Sequence, residues 1–172
     1  MPELTVQGHH LQVGQGDNLL SALQVANLPI NWSCRAGQCH SCLVQAPKQP
    51  IPAAAQQGLS PEQQADGWLL ACQCAVESDM QLTLHDPAND GLPALIEAVE
   101  KLPGDVLLLR LRPQRPLRYR AGQHLMIWLS PQLGRSYSLA SLPGEALLEF
   151  HIQLREGGLF SSQLLHGRPG QT

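Results

Sequence analysis

Residues 30–42 have the sequence Ile-Asn-Trp-Ser-Cys-Arg-Ala-Gly-Gln-Cys-His-Ser-Cys, and this stretch decides the fold. Its cysteines, Cys34, Cys39 and Cys42, follow the spacing Cys-x4-Cys-x2-Cys, and 29 residues separate Cys42 from Cys72. Three closely spaced cysteines with a distant fourth are the plant-type pattern of ligands for a [2Fe–2S] cluster. A glycine inside the loop allows a left-handed backbone, so that a short segment can wrap three sulfurs around one side of a cluster. The spacing therefore predicts a binuclear iron site.

Two other interpretations of the cysteines remain open on spacing alone. Cys39, Cys42, Cys72 and Cys74 could form a four-cysteine zinc site, although this leaves Cys34 unexplained and Cys-x-Cys is an unusual zinc spacing. The cysteines could also be unligated buried thiols. Their odd number, in a chain whose first residues lack the features of a secretion signal, argues against a disulfide framework.

The chain has 172 residues, of which 43% are hydrophobic and 15% are charged, a composition typical of folded proteins. Residues 1–90 carry eight acidic and two basic side chains, net −6, whereas residues 91–172 carry six acidic and nine basic ones, net +3. This asymmetry predicts two units with different partners. The acidic half would repel phosphates, and no apolar run is long enough to cross a bilayer. We therefore expect no nucleic-acid partner, no membrane partner and a cytoplasmic location.

Short strands and helices alternate through the rest of the first half. We predict a helix over 18–26 that is capped by Asp17 and buries its leucines. A second helix is predicted to begin at Ser60, with Gln63 completing a capping box. The predicted strands are Leu4–Gln7 and Leu11–Val13, joined by a turn at Gly8-His9-His10, followed by Trp68–Val76 and Met80–Leu84.

The second half begins after Asp86–Pro93, which is rich in turn-forming residues. We take residues 89–94 as a linker between a domain at 1–88 and a domain at 95–172. Short apolar runs separated by Pro and Gly turns then favour an antiparallel β-barrel. The predicted elements are the strands Leu95–Val99, Val106–Arg112, Leu125–Leu129, Tyr137–Ala140 and Leu147–Leu154, a turn at Pro131–Gly134, and a helix over Ser161–His166.

Residues 30–42 and Gly67–Cys74 resemble the cluster loop and the fourth-ligand strand of plant-type [2Fe–2S] ferredoxin domains. The resemblance implies a β-grasp fold for the first domain and selects Cys72 over Cys74 as the fourth ligand. His40 stands where the family commonly has glycine. We expect its side chain to lie on the surface or beside the cluster rather than to bind iron, because four thiolates are already available.

Three segments of the second half resemble the FAD domain of the ferredoxin–NADP reductase superfamily. They are Ala121-Gly122-Gln123, the Arg-x-Tyr-Ser motif within Arg135–Ser141, and Gly157-Gly158-Leu159-Phe160-Ser161. Each motif is weak alone, but their order behind a ferredoxin-like loop is specific. The fold class implied for the whole chain is α+β, a β-grasp domain followed by an antiparallel β-barrel.

The same resemblance implies roles for five flavin-binding residues. Arg135 is expected to bind a flavin phosphate, for which a guanidinium group is suited. Tyr137 is expected to stack on the isoalloxazine or contact the ribityl chain, and Ser138 to place a hydroxyl near flavin N5. Gly158 and Ser161 are expected at the pyrophosphate, where Gly158 allows close approach of the backbone.

The resemblance implies a reductase component that passes electrons from NAD(P)H through FAD to the cluster and on to an oxygenase or similar acceptor protein. Residues 168–172 resemble the turn before the last barrel strand, so we expect the barrel to be incomplete, the NAD(P) domain to be absent, and this chain alone not to oxidise NAD(P)H. A non-enzymatic [2Fe–2S] electron carrier and a cluster-based redox sensor are the alternatives.

Overall fold

The computed structural model describes residues 1–131, 133–167 and 170. The chain divides into two compact units, residues 1–86 and 87–172. The first unit contains a mixed sheet and the second contains antiparallel sheets. The predicted α+β class is confirmed.

The first unit is built on a five-stranded sheet with two helices. The strands are β1 (Glu3–Val6), β2 (His9–Gln12), β3 (Leu43–Gln45), β4 (Trp68–Leu70) and β5 (Met80–Leu84), and the helices are α1 (Leu19–Val25) and α2 (Pro61–Ala65). The strand order is β2-β1-β5-β3-β4, with β1 and β5 parallel and the other pairs antiparallel. This mixed sheet is the β-grasp arrangement expected for the first domain.

Helix α1 buries the predicted leucine face, since Leu19, Leu20 and Leu23 have no solvent exposure. Its N-cap is Asn18 and not Asp17: the Asn18 side chain accepts from the Ser21 N–H at 3.2 Å, whereas Asp17 accepts from the N–H of an earlier glycine. Asn and Asp are equally good caps, so tertiary contacts decide between the two neighbours. The predicted capping box of α2, in contrast, is confirmed.

Two strand predictions in the first unit are wrong at their ends. The hairpin turns at Gln7 and Gly8, both left-handed with φ of 48° and 85°, so the predicted turn residues His9 and His10 belong to β2. Paired left-handed residues are typical of the two-residue turns whose twist matches that of the strands.

The strand predicted over Trp68–Val76 is wrong beyond Leu70. A 3₁₀ turn, Ala71–Gln73, follows β4 directly. The Ala71 N–H donates to the Cys42 carbonyl at 3.0 Å, and the Cys74 N–H donates back to the Ala71 carbonyl. These bonds end the strand at Leu70 and start the 3₁₀ turn, and Cys72 therefore lies on a turn.

The described residues of the second unit form five strands and two short helices. They are α3 (Pro87–Asp90), β6 (Ala94–Leu102), β7 (Val106–Pro113), β8 (His124–Ser130), β9 (Leu133–Ser138), β10 (Leu148–Gln153) and α4 (Leu159–Leu165). A three-stranded sheet has the order β10-β7-β6, and β8 pairs with β9 in a second sheet. Both sheets contribute to one hydrophobic core, centred on side chains such as Leu107, Phe150 and Ile127.

All five predicted strands of this unit are present, but β9 is displaced toward the N-terminus. It starts at Leu133, inside the predicted turn, and ends at Ser138, two residues before the predicted end. Gly134 makes the earlier start possible, because a Cβ there would lie 2.6 Å from the Trp128 ring on β8. The helical turn α3 covers residues 87–90 and includes the first two residues of the predicted linker 89–94, whose last residue, Ala94, begins β6. The turn predicted at residues 168–172 lies outside the described residues except for Gly170.

No helix among the described residues is both long and apolar enough to cross a membrane.

Candidate functional site

The cysteine loop is shaped by left-handed backbone at three positions. Arg35, Gly37 and His40 have φ of 54°, 72° and 55°, which confirms the conformation predicted for Gly37. Such residues turn successive N–H groups toward one point and form a concave anion-binding surface. The loop backbone is therefore arranged to surround negatively charged sulfurs.

Cys34 and Cys39 form one pair, in which each sulfur accepts a hydrogen bond from the backbone N–H of the other residue. The Cys34 Sγ accepts from the N–H groups of Ala36 at 3.3 Å and Cys39 at 3.4 Å, and the Cys39 Sγ accepts from the Cys34 N–H at 3.5 Å. The Ser41 hydroxyl donates to the Cys39 Sγ at 3.1 Å. Sequence reasoning missed Ser41, although a hydroxyl residue between two ligands is a signal for such a donor.

Cys42 and Cys72 form a second pair. The Cys72 N–H donates to the Cys42 sulfur, and their two thiols are within hydrogen-bonding contact. The Cys72 carbonyl accepts from the Asn18 side-chain amide at 3.0 Å, which fixes the 3₁₀ turn against the start of α1. Two pairs of thiols are what four thiolates around two irons require, so this donor set suits a [2Fe–2S] cluster.

The surroundings of the sulfurs shift their proton affinities in opposite directions. Burial raises the pKa of Cys34, but the N–H donors of Ala36 and Cys39 outweigh it and lower the pKa to about 7. Burial raises the pKa of Cys42 to about 12, and the thiol of Cys72 adds to the effect. A bound cation replaces these protons, because thiolates are the species that ligate metals.

The arrangement of Cys74 does not favour the zinc alternative. Cys74 has no solvent exposure, and its thiol donates to the Ala75 carbonyl at 3.7 Å. In the part of the chain that the structure describes, no three His, Cys, Asp or Glu side chains are grouped so that they could hold one metal ion. A [2Fe–2S] cluster does not need such a group, because each of its irons binds only two of the four thiolates.

The outer rim of the loop carries a cation and an indole ring. The Arg35 guanidinium lies 4.5 Å from the centre of the half-exposed Trp32 ring and donates to the Gln24 side chain on α1 at 2.7 Å. His40 lies near Gly58, since a Cβ atom added at Gly58 would be 3.7 Å from the His40 Nε2.

In the second unit, Arg135 and Tyr137 share one face of β9, as predicted from the alternation of strand residues. The Arg135 side chain is exposed, whereas the half-buried Tyr137 ring packs against Phe160 of α4 with centroids 5.3 Å apart. Burial raises the pKa of Tyr137, and the positive charges of Arg135 and Arg155 oppose this shift. Two guanidinium groups therefore lie near one phenol, and sequence reasoning found only Arg135.

Ser138 is placed at the end of β9, directly opposite the first residue of β8. Its hydroxyl lies 3.0 Å from the His124 Nε2, and the two residues are register partners. Sequence reasoning missed His124, although it directly follows the Ala-Gly-Gln segment. The imidazole fixes the hydroxyl at the edge of the sheet.

Gly158 and Ser161 lie together at the start of α4. A Cβ at Gly158 would be 2.9 Å from the Ser161 Oγ and 3.0 Å from the Arg155 carbonyl, so only glycine fits. Ser161 is 5% exposed and its hydroxyl donates to the Gly158 carbonyl at 3.2 Å. The hydroxyl proton of Ser161 therefore takes part in a hydrogen bond within the protein. The exposed guanidiniums and the half-buried phenol of this unit suit an aromatic, anionic cofactor.

Comparison with known proteins agrees with this division into two sites. Residues 4–77 match the family described as 2Fe-2S iron-sulfur cluster binding domain, and residues 93–172 match the oxidoreductase FAD-binding domain.

Similar curated proteins include a reductase component of naphthalene 1,2-dioxygenase/salicylate 5-hydroxylase systems from Ralstonia sp, 28% identical over 91% of this chain and 50% of the relative. Another is the ferredoxin–NAD(P)(+) reductase component of the naphthalene 1,2-dioxygenase system from Pseudomonas putida, 30% identical over 99% of this chain and 55% of the relative. A cytochrome P450 reductase structure from Amycolatopsis is 25% identical, with a TM-score of 0.48 over 100% of this chain and 55% of that one.

The chain spans about half the length of the curated relatives it matches. Both predicted resemblances are confirmed by the family matches. Residues 4–77 belong to the 2Fe-2S iron–sulfur cluster binding domain family, and residues 93–172 belong to the oxidoreductase FAD-binding domain family.

Proposed function

We propose that this chain is the iron–sulfur and flavin part of a reductase that supplies electrons to an oxygenase or a similar acceptor protein. The pairing of thiols carries the proposal: Cys34 with Cys39, and Cys42 with Cys72. Each pair would hold one iron of a [2Fe–2S] cluster. The domains assigned to this function are 1–88 for the cluster and 95–172 for FAD, joined by a linker at 89–94.

The flavin is assigned to the arginine-flanked tyrosine of the second unit. Arg135 would bind a phosphate, Tyr137 would pack against the isoalloxazine or the ribityl chain, and Ser138 would place its hydroxyl near N5. Gly158 and Ser161 would lie at the pyrophosphate, with the Gly158 backbone providing the close approach. The exposed guanidinium of Arg135 and the tight backbone at Gly158 support these roles.

Electrons are proposed to come from NAD(P)H, because two relatives are named as ferredoxin–NAD(P)(+) reductase components. FAD accepts electrons in pairs and the cluster accepts them singly, so that the flavin converts a two-electron donor into one-electron transfers. The five free cysteines suit a reducing compartment, and we propose that the protein works in the cytoplasm.

The test is elemental and spectroscopic analysis of the anaerobically purified chain. We expect ~2 iron atoms, ~2 sulfides and ~1 FAD per chain, with cluster and flavin absorption in the visible spectrum. Zinc at the cysteines, or no metal after anaerobic reconstitution, would refute the cluster assignment. A complete cluster in a chain that does not bind added FAD would refute the flavin assignment and favour a simple electron carrier.

A further inference from the structure

The side-chain amide of Gln73 lies among three acceptors next to the fourth cysteine. Its Nε2 is 3.2 Å from the Arg35 carbonyl, 3.3 Å from the Cys72 carbonyl and 3.6 Å from the Cys72 Sγ. Two carbonyl oxygens and a thiolate can only accept hydrogen bonds, so the amide nitrogen and not the amide oxygen must face them. The larger radius of sulfur makes 3.6 Å a suitable donor distance to Sγ.

Gly37 makes room for this side chain. A Cβ at Gly37 would lie 3.0 Å from the Gln73 Cγ. The glycine therefore serves two purposes in the loop, since it adopts φ of 72° and it lets Gln73 cross the loop. Gln73 thus joins the cysteine loop to the 3₁₀ turn through its side chain.

We propose that Gln73 is a positioning residue that holds the Cys72 turn against the cysteine loop and donates an N–H to the Cys72 thiolate, which raises the reduction potential of the cluster. This inference rests on the proposed function. Iron binds thiolates, so the thiol hydrogens of Cys42 and Cys72 must leave when the cluster forms, whereas the amide hydrogens of Gln73 remain.

The direction of the effect follows from charge. Reduction adds an electron to the cluster and makes its sulfurs more negative, so a donor to sulfur stabilises the reduced state more than the oxidised one. Cys34 and Cys39 receive such donors from the backbone, which substitution does not remove, and Cys39 receives a further one from the Ser41 hydroxyl. The donor to Cys72 belongs to a side chain, and one substitution removes it.

The first test is Gln73→Met, which keeps the length of the side chain and removes both amide hydrogens. We expect full iron and sulfide content, a midpoint potential more negative than that of the wild type, and an altered EPR signal of the reduced cluster. The matched control is Gln45→Met in the same unit. Gln45 donates to the Asp66 carbonyl at 2.8 Å, and its replacement should leave the potential unchanged.

A fully loaded Gln73→Met chain with the wild-type potential would overturn the proposal. Equal shifts in Gln73→Met and Gln45→Met would also overturn it, because they would report a general loosening of the unit. Iron and sulfide content of the wild type tests the proposed function separately. A wild-type chain without a cluster would therefore be distinguished from a cluster that is insensitive to Gln73.

The second test uses the wild-type chain and therefore does not depend on whether a variant assembles its cluster. The wild-type chain is made by cell-free synthesis with glutamine labelled by ¹⁵N only in the side-chain amide, and the reduced cluster is examined by pulsed EPR. We expect a ¹⁵N hyperfine coupling to the cluster, because the Gln73 amide lies next to a ligand sulfur. Absence of this coupling would overturn the proposal even if Gln73→Met failed to bind iron.

Discussion

The two sites of this protein are built from different parts of the chain. Around Cys34 and Cys39 the backbone makes the site, because N–H groups of the loop itself donate to the sulfurs. In the second unit, side chains make it: the positive charges of Arg135 and Arg155 act on Tyr137 of a two-stranded sheet.

This difference determines how far each site can be predicted and how easily it can be broken. A backbone site depends on spacing and on a few left-handed residues, so it tolerates most substitutions except those of the ligands and of Gly37. A site made of side chains depends on single residues. Neighbouring side chains can partly replace the packing and the charge that one substitution removes. Substitutions should therefore act in an all-or-none manner in the cysteine loop and in a graded manner around Tyr137.

The largest expected effect separates Cys72 from Cys74. Cys72→Ser removes one member of the second thiol pair, and we expect loss of the visible spectrum together with most of the iron and sulfide. Cys74→Ser is the matched control, since its thiol is buried and donates to the Ala75 carbonyl. Retention of the cluster in Cys72→Ser, with loss in Cys74→Ser, would reverse the ligand assignment.

A graded effect is expected in the flavin region. Arg135→Ala should weaken FAD binding by about 10- to 100-fold, since a charge-assisted hydrogen bond contributes roughly 1.5–3 kcal/mol. Fluorescence titration with FAD measures the affinity, and iron content should not change. Arg112→Ala, which removes a cation paired with Glu97 on the neighbouring strand, serves as the control. Equal FAD affinity in the Arg135 variant and the wild type would refute the phosphate role.

A smaller effect tests the contact between α1 and the 3₁₀ turn. Asn18→Ser keeps an acceptor that can cap the helix but removes the amide that donates to the Cys72 carbonyl. We expect the free energy of unfolding of the first unit to fall by about 1 kcal/mol, the net value of one hydrogen bond. We also expect a chelator to remove the cluster faster.

Asn18→Ala is the reference for that test, because it removes both the cap and the donor. It should destabilise the unit by a further amount of about 1 kcal/mol, as typical for loss of an N-cap. Urea titrations of the three proteins measure the free energies of unfolding. If the serine variant loses its cluster at the wild-type rate, the Asn18 amide does not hold Cys72 in place.

The sequence predicted those features that depend on local spacing. The left-handed backbone at Gly37, the capping box of α2 and the leucine face of α1 are all encoded within short segments. It also missed Ser41 and His124, which lie beside recognised motifs. The other features it missed depend on contacts between distant segments. Asn18 became the cap of α1 and a donor to Cys72, and β4 ended at Leu70 because the Ala71 N–H meets the Cys42 carbonyl.

The same reason explains why Arg155 and Gln73 carried no signal. Arg155 lies 18 residues from Tyr137, whose pKa it influences, and Gln73 lies 38 residues from Arg35, whose carbonyl it contacts. No periodicity or spacing rule connects such pairs. Only the path of the backbone brings them together.

The smallest expected effect concerns the titration of Tyr137. Burial raises its pKa above the ordinary value of 10.0, so the folded unit favours the neutral phenol. The resulting stabilisation is fully present below about pH 10 and is lost as the pH rises through the folded pKa. The chain has two tyrosines, and the difference in tyrosinate absorbance between the wild type and Tyr137→Phe therefore isolates this residue.

We expect that difference to titrate at a higher pH in the folded protein than in urea. Above pH 10, the free energy of unfolding of the wild type should fall more steeply than that of Tyr137→Phe, because only the wild type must bury or expose a phenolate. Coincident folded and unfolded titrations would show that the Tyr137 ring is as solvated as in the unfolded chain. The ring would then not be packed against Phe160 in solution, and the side-chain site would lack the rigid aromatic surface that distinguishes it from the cysteine loop.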